Sequence, residues 1–228
     1  EKFKNLAVYT VINNILNNNR INAPKLLSNH YKNDMIEISD LGEKSFYDHV
    51  ISKKNKLNIY KSLIKLLIKM QKIKVKKLHK FEKFKIKIPK YTLSNLHKES
   101  DLFFDWYLKY FLRNKKINKI KKILRLELNK VYKKLNYKND TFVHRDFHIS
   151  NLMINKNKLG IIDSQDAIIG NPLYDVASVI DDVRIKLPNK LQNQLLDFYH
   201  KNSKLKNDLI QKLKNDFDIL SVQRNLKI

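Results

Sequence analysis

The chain has 228 residues, 43% of them hydrophobic, enough to bury the core of one or two domains. It lacks cysteine, which excludes disulfide staples and fits a reducing compartment, and no apolar run approaches the roughly 18 residues of a membrane span. The formal charge of +25 would raise nucleic acid or an acidic membrane surface as a partner, but 41 of the 47 basic residues are lysine. Lysine, asparagine and isoleucine are abundant together, as A/T-rich codon usage dictates, whereas phosphate and base edges favour arginine.

Residues 1–34 carry one helical pattern (Phe3, Leu6, Ala7, Ile12, Ile15, Leu16), a loop around Pro24 and a short strand-like piece. Residues 35–42, from Met35 to Gly42, read as a strand running into a turn. From there to residue 140 the pattern is almost entirely helical. Lys56 to Gln71 sets Leu63, Leu66, Leu67 and Met70 on one stripe, and Ile117 to Leu135 does the same with Ile120, Leu124, Leu128, Val131 and Leu135. Both stripes predict core faces.

Between them, Lys72 to Lys90 is the densest basic patch, interleaved with Phe81 and Phe84, and is the one candidate polyanion surface. Lys98 to Arg113 mixes Asp101, Asp105, Trp106 and Tyr107, acids and rings suited to sugar hydroxyls and ring faces. The other reading is an amphipathic helix that packs Leu102, Phe103, Trp106 and Tyr110 inward. Helices from about Asp175, Lys190 and Leu205 complete a mainly α region.

The chemistry lies between Thr141 and Ala177. Asn151 precedes an apolar run (Leu152, Met153, Ile154), a polar turn (155–158) and a second apolar run (159–162) that ends at Asp163, which predicts a β-hairpin. Positions opposed across such a hairpin lie roughly 5 Å apart, so an amide oxygen and a carboxylate meet at one end. Asp146, in a loop after the short strand Thr141 to Val143, reaches the same end. Two hard oxygen donors beside a further carboxylate suit Mg²⁺ with a base next to it.

The set His144-Arg145-Asp146, Asn151 five residues on, and Asp163 closing the hairpin resembles the catalytic loop and metal-binding aspartate of the protein-kinase-like fold. His148, Ser164-Gln165-Asp166 and the run from Gly170 to Ala177 are similar to the aminoglycoside phosphotransferase and choline kinase group. Within it, the stretches 144–148, 163–167, 101–107 and 221–227 resemble the bacterial anomeric sugar kinases for N-acetylmuramate and N-acetylglucosamine.

The resemblance implies an α+β fold with a mainly helical C-terminal lobe (42–228), a catalytic hairpin, and at 1–41 a remnant of the N-terminal lobe with the hinge. Only Gly42, Gly160 and Gly170 are present, so no glycine-rich nucleotide-covering loop is expected within these residues. The activity implied is transfer of the γ-phosphoryl group of ATP to a small-molecule hydroxyl, an amino sugar before an aminoglycoside or choline, in the cytoplasm. A non-catalytic binding protein on the same fold is the alternative of another class. By position Asp146 is the base and Asn151 and Asp163 the Mg²⁺ ligands. Ile38, Ser39 and Leu41 would border the adenine, with Met153 and Ile162 beneath it. Asp105 and Trp106 are the acceptor candidates.

His144 and His148 are too few for a zinc site, which wants three or four ligands, and are expected to be structural, hydrogen-bonded to loop backbone. Asp175 is expected at a helix N-terminus, bracing the catalytic loop through backbone hydrogen bonds. Arg145 receives no specific task.

Overall fold

A computed structural model describes residues 2–76, 78–111, 117–155 and 158–227, the side chains of 2–4 and 155 excepted. Lys77 of the basic patch, Arg113 at the end of the aromatic segment, the hairpin tip at 156–157 and Ile228 lie outside the described residues.

The order of elements is α1 (Lys2–Asn18), β1 (Leu26–His30), β2 (Met35–Ile38), α2 (Phe46–Ile51), α3 (Leu57–Gln71), β3 (His79–Phe81), β4 (Phe84–Ile86) and α4 (Leu93–Leu102). A π-helical turn (Phe103–Leu108) joins α4 to α5 (Lys109–Phe111). Then come α6 (Ile117–Tyr132), β5 (Thr141–Val143), β6 (Leu152–Asn155), β7 (Lys158–Ile161), β8 (Ile168–Gly170), α7 (Leu173–Ile180), α8 (Asn189–Asn202) and α9 (Ile210–Asn225). Among the described residues the strands form four antiparallel pairs, β1 with β2, β3 with β4, β5 with β8 and β6 with β7. The architecture is the expected α+β one, helix-rich with small sheets.

The main core gathers α3, α7, α8 and α9 around β5 and the hairpin, with Tyr60, Leu63, Leu67, Phe142, Leu173 and Tyr199 fully buried. The α3 stripe meets its prediction at Leu63, Leu67 and Met70, while Leu66 is half-buried. In α6 the predicted stripe is only half-buried throughout, and Tyr132 is the fully buried residue.

Two expectations change. The stretch 72–90 is not helical: Phe81 and Phe84 close a tight β3–β4 hairpin and pack over a small cluster of Ala7, Val11 and Ile86. Lys83, Lys85 and Lys87 alternate with Phe84, Ile86 and Ile88, the period of a half-buried strand. The inward-packing reading of 98–113 also fails. The buried face of α4 passes through Leu96, Glu99 and Ser100, four residues before Phe104, so Phe104 is buried while Trp106 and Tyr110 are 76% and 86% exposed.

Candidate active site

The hairpin sets the frame. Leu152 pairs with Ile161 and Met153 with Gly160, and Ile162 N–H donates to the Asn151 carbonyl (3.0 Å), so Asn151 and Asp163 leave the same end side by side. The Asn151 amide donates to the Asp146 carbonyl (3.0 Å) and approaches Asp163 Oδ2 at 3.5 Å. Gln165 donates to Asp163 Oδ1 (2.7 Å). The three polar residues read from spacing therefore converge. The Asn151 amide nitrogen is engaged on its own loop, and its oxygen and the exposed Asp163 carboxylate remain as hard donors.

Two residues of this end sit in left-handed backbone, Arg145 at φ 78° and Asp163 at φ 62°. Such conformations cost on the order of 1–3 kcal/mol in non-glycine residues and persist only where neighbours over-determine them. Those neighbours are present. Buried Asp175, in the first turn of α7, accepts from the backbone N–H groups of His144 (2.7 Å) and Arg145 (3.0 Å), the bracing role expected of it. Burial pushes its carboxyl up to about 7 despite those two donors. Arg224 of α9 donates to the Arg145 carbonyl (2.8 Å) and lies over the Tyr174 ring. On the other side, the Ser164 hydroxyl donates to Asn13 of α1 (2.6 Å), fixing the chain just after Asp163.

Arg145, left without a task by sequence, is half-buried and joins a network around buried Glu99. Its Nε and Nη2 donate to Glu99 Oε1 (2.9 and 2.7 Å), and Asp166 lies 3.5 Å from Nη1. The other Glu99 oxygen accepts from Tyr91 (2.5 Å), Tyr174 (3.0 Å) and Gln223 (2.9 Å). Burial works against the Glu99 charge, but Lys227, the Tyr91 and Gln223 hydrogen bonds and Arg145 together hold its carboxyl below the usual range.

Glu99, Gln223, Arg224 and Lys227 are the site residues that sequence reasoning missed. Their signal was available in part, since 223, 224 and 227 lie in the stretch 221–227 that carries the family resemblance, 223 and 224 in the last turn of α9 and 227 just beyond it. Lys227 forms an ion pair with Asp146 (2.9 Å). Burial raises the Asp146 carboxyl, yet Lys227, Arg224 and Arg145 outweigh it and keep the group below its ordinary value.

His144 is fully buried against the Phe147 ring, and neither ring nitrogen has a hydrogen-bond partner of good geometry, although the Ile162 backbone is near. The expected backbone hydrogen bonds are therefore missing at His144, and His148 Nδ1 is likewise unpartnered. The reason for His144 is packing: it fills space beneath the loop as a neutral ring. Burial lowers its pKa to about 4. Its folded value thus lies below the unfolded 6.5, so the unfolded chain binds the extra proton between these values. Stability is expected to be complete above pH 6.5 and to fall toward pH 4, by on the order of 3 kcal/mol. Urea midpoints across this range, flatter in His144→Gln than in the wild type, check it.

The nucleotide-side candidates separate. Leu41 is buried over β7, where a Cβ on Gly160 would stand 2.7 Å from its Cδ1, so a larger residue at 160 would push the Leu41 side chain aside. Met153 is the cross-strand partner of Gly160 and, like Ile162, is half-buried, which brings Leu41, Met153 and Ile162 to one end of the hairpin. Ile38 is exposed beside Leu26, and Ser39 pairs with Lys25 through both backbone and hydroxyl (2.8 and 2.9 Å). Asp105 is held by Lys121 (2.6 Å) and Trp106 projects outward; among the described residues no hydrogen bond or ion pair joins either to the catalytic loop.

The overall architecture is that of the protein-kinase-like fold. Solved structures share it: an aminoglycoside phosphotransferase from Streptomyces rimosus in complex with ADP and streptomycin (TM-score 0.58, 12% identity, 96% of this chain and 83% of that one) and an ethanolamine kinase from Plasmodium vivax (TM-score 0.64, 15% identity, 99% and 64%). The chain belongs to the phosphotransferase enzyme family, whose pattern matches residues 10–209. It is similar to the N-acetylmuramate/N-acetylglucosamine kinase of Pseudomonas aeruginosa, at 27% identity over 216 residues covering 91% of this chain. The kinase of the same name from Neisseria meningitidis is 23% identical over 91% of this chain. The chain spans 60% and 62% of the length of these two relatives.

Proposed function

We propose that this chain carries the catalytic loop of an ATP-dependent phosphotransferase acting on a hydroxyl of an amino sugar of the N-acetylmuramate or N-acetylglucosamine type, in the cytoplasm. The observation that carries this reading is the convergence of Asp146, Asn151 and Asp163 at one end of the hairpin. The names of the curated relatives support the amino sugar as acceptor, and the family supports a small-molecule kinase.

Asp146 accepts the proton of the attacking hydroxyl. Its carboxylate is partly exposed, and its other neighbours hold it ionised, so it is charged at neutral pH and needs only the approach of the acceptor. Asn151 and Asp163 would hold Mg²⁺, a cation that takes one or two protein oxygens and completes its shell with water and phosphate. When bound, the ion would neutralise phosphate charge. Phosphoryl transfer otherwise needs positioning, which the Asp175, Arg224 and Glu99 contacts supply to the loop. Leu41, Met153 and Ile162 form the apolar border for the adenine, with Ile38 and the backbone at Ser39 at its edge. The ADP complex among the structural neighbours supports a nucleotide as the phosphoryl donor. Residues 1–41 would then contribute the hinge and 42–228 the catalytic lobe. Among the described residues no helix is long and apolar enough to cross a membrane.

The test is phosphorylation by the full-length protein with Mg²⁺ and ATP, offering N-acetylmuramate, N-acetylglucosamine, an aminoglycoside and choline in turn. Turnover of the amino sugars in preference is expected. Preference for choline or the aminoglycoside would move the acceptor, and nucleotide binding without turnover of any of them would favour a non-catalytic binding protein.

A further inference from the structure

Away from the catalytic end, a groove of about 720 Å³ lies between the chain leaving α3 and the chain leaving β4. Its floor is apolar, made by Ile73, Val75, Ile88 and Ile169, and its rims carry Lys72, Lys74, Lys76, Lys87, Lys90 and Lys204. The arrangement follows from two alternating stretches, 72–76 and 85–88, in which each lysine is exposed while Ile73 and Ile88 are buried. Asp140 is the sole carboxylate in the lining, and it is engaged by Lys204 (3.2 Å), which also donates to Thr141 (2.8 Å). Among the described residues the other five lysines of the groove have no carboxylate partner. Codon usage explains how many lysines the chain has. It does not explain five unpaired ammonium groups around one apolar floor, and the dipole of α3 accounts for Lys72 alone.

We infer that this groove is a binding site for a small amphipathic anion, an apolar chain or ring bearing a diphosphate. The volume is that of single small-molecule sites, roughly 300–1,000 Å³. Several lysines acting as point charges suit phosphate groups, and the isoleucine and valine floor gives the ligand body a contact that inorganic phosphate or a nucleic-acid backbone cannot use. The site is separate from the catalytic end. Asp140, which lines the groove, stands just before β5, whereas the loop that carries Asp146 leaves the far end of β5 after Val143, roughly 10 Å along the strand. The groove floor is nonetheless bonded to that strand, since Ile169 pairs with Phe142 and is held by Pro89 and Tyr91.

The experiment is calorimetric titration of the full-length protein with geranyl diphosphate at 0.15 M salt, with pyrophosphate and geraniol as separate arms, each repeated at saturating ATP. Saturable binding of one geranyl diphosphate per chain is expected, at least tenfold tighter than either separate arm and unaffected by ATP. The triple variant Lys74→Gln, Lys76→Gln, Lys87→Gln, all exposed positions, should weaken it at least tenfold with an unchanged circular dichroism spectrum. Absence of saturable binding, an affinity matched by pyrophosphate, an unchanged affinity in the triple variant, or displacement by ATP would each overturn the assignment.

Discussion

Asp146→Asn is expected to lower kcat for phosphoryl transfer by about 10²–10⁴-fold, the usual contribution of a positioned general base, while nucleotide affinity stays near that of the wild type. The substitution keeps the shape of the side chain and removes only its ability to take a proton. Its hydrogen-bonded framework survives because the loop is held through the Asp146 carbonyl, which accepts from Asn151 and His148, and not through the carboxylate. Loss of the partner of Lys227 costs little, since the pair is partly exposed. Single-turnover kinetics with an amino-sugar acceptor, together with nucleotide titration, would measure both quantities. Near-normal turnover would remove Asp146 from the reaction.

Glu99→Ala is expected to be the most destabilising single change near the site, by about 3–5 kcal/mol, the range for breaking a buried ion pair from one side. It strands the Arg145 guanidinium with only Asp166, and it leaves the Tyr91 and Tyr174 hydroxyls and the Gln223 amide with one acceptor fewer. Glu99→Gln separates charge from shape. Its amide oxygen still accepts from Arg145, but its NH₂ then faces the NH₂ of Gln223, so a loss of about 1–3 kcal/mol is expected. Urea unfolding of both variants is the measurement, and a loss below about 1 kcal/mol for Glu99→Ala would show that the network does not stabilise the fold. Because Arg145 is the residue before Asp146 and sits in left-handed backbone, the same variants should also lower kcat without contacting substrate.

The convergence of Asp146, Asn151 and Asp163 was legible because it is local. Asn151 and Asp163 are joined by a hairpin whose register is set by two short apolar runs, and Asp146 lies five residues before Asn151. The helices of the core were legible where burial is strong, as in α3, and less so in α6, whose stripe is wide but meets few partners. The β3–β4 hairpin escapes a reading by charge, although its period-two alternation is written in 83–88. Trp106 faces outward because the buried side of α4 is chosen by Glu99 and Ser100, polar residues that a hydrophobic pattern passes over. Glu99 itself could not be recognised from its neighbours in sequence: Tyr91 lies eight residues before it, but its other partners are 46, 75 and 124 residues away. Such contacts exist only once the helices are packed.

That separation also bears on the order of events during synthesis. The two α9-side contacts to the catalytic loop, Arg224 to Arg145 and Lys227 to Asp146, span 79 and 81 residues. At translation speeds of about 5–20 residues per second, the loop waits roughly 4–16 s between being made and receiving its last restraints. The nascent chain therefore acquires Asp146, Asn151 and Asp163 early, and the contacts that fix Arg145 and Asp146 from the C-terminal side come only with α9 and the residues after it.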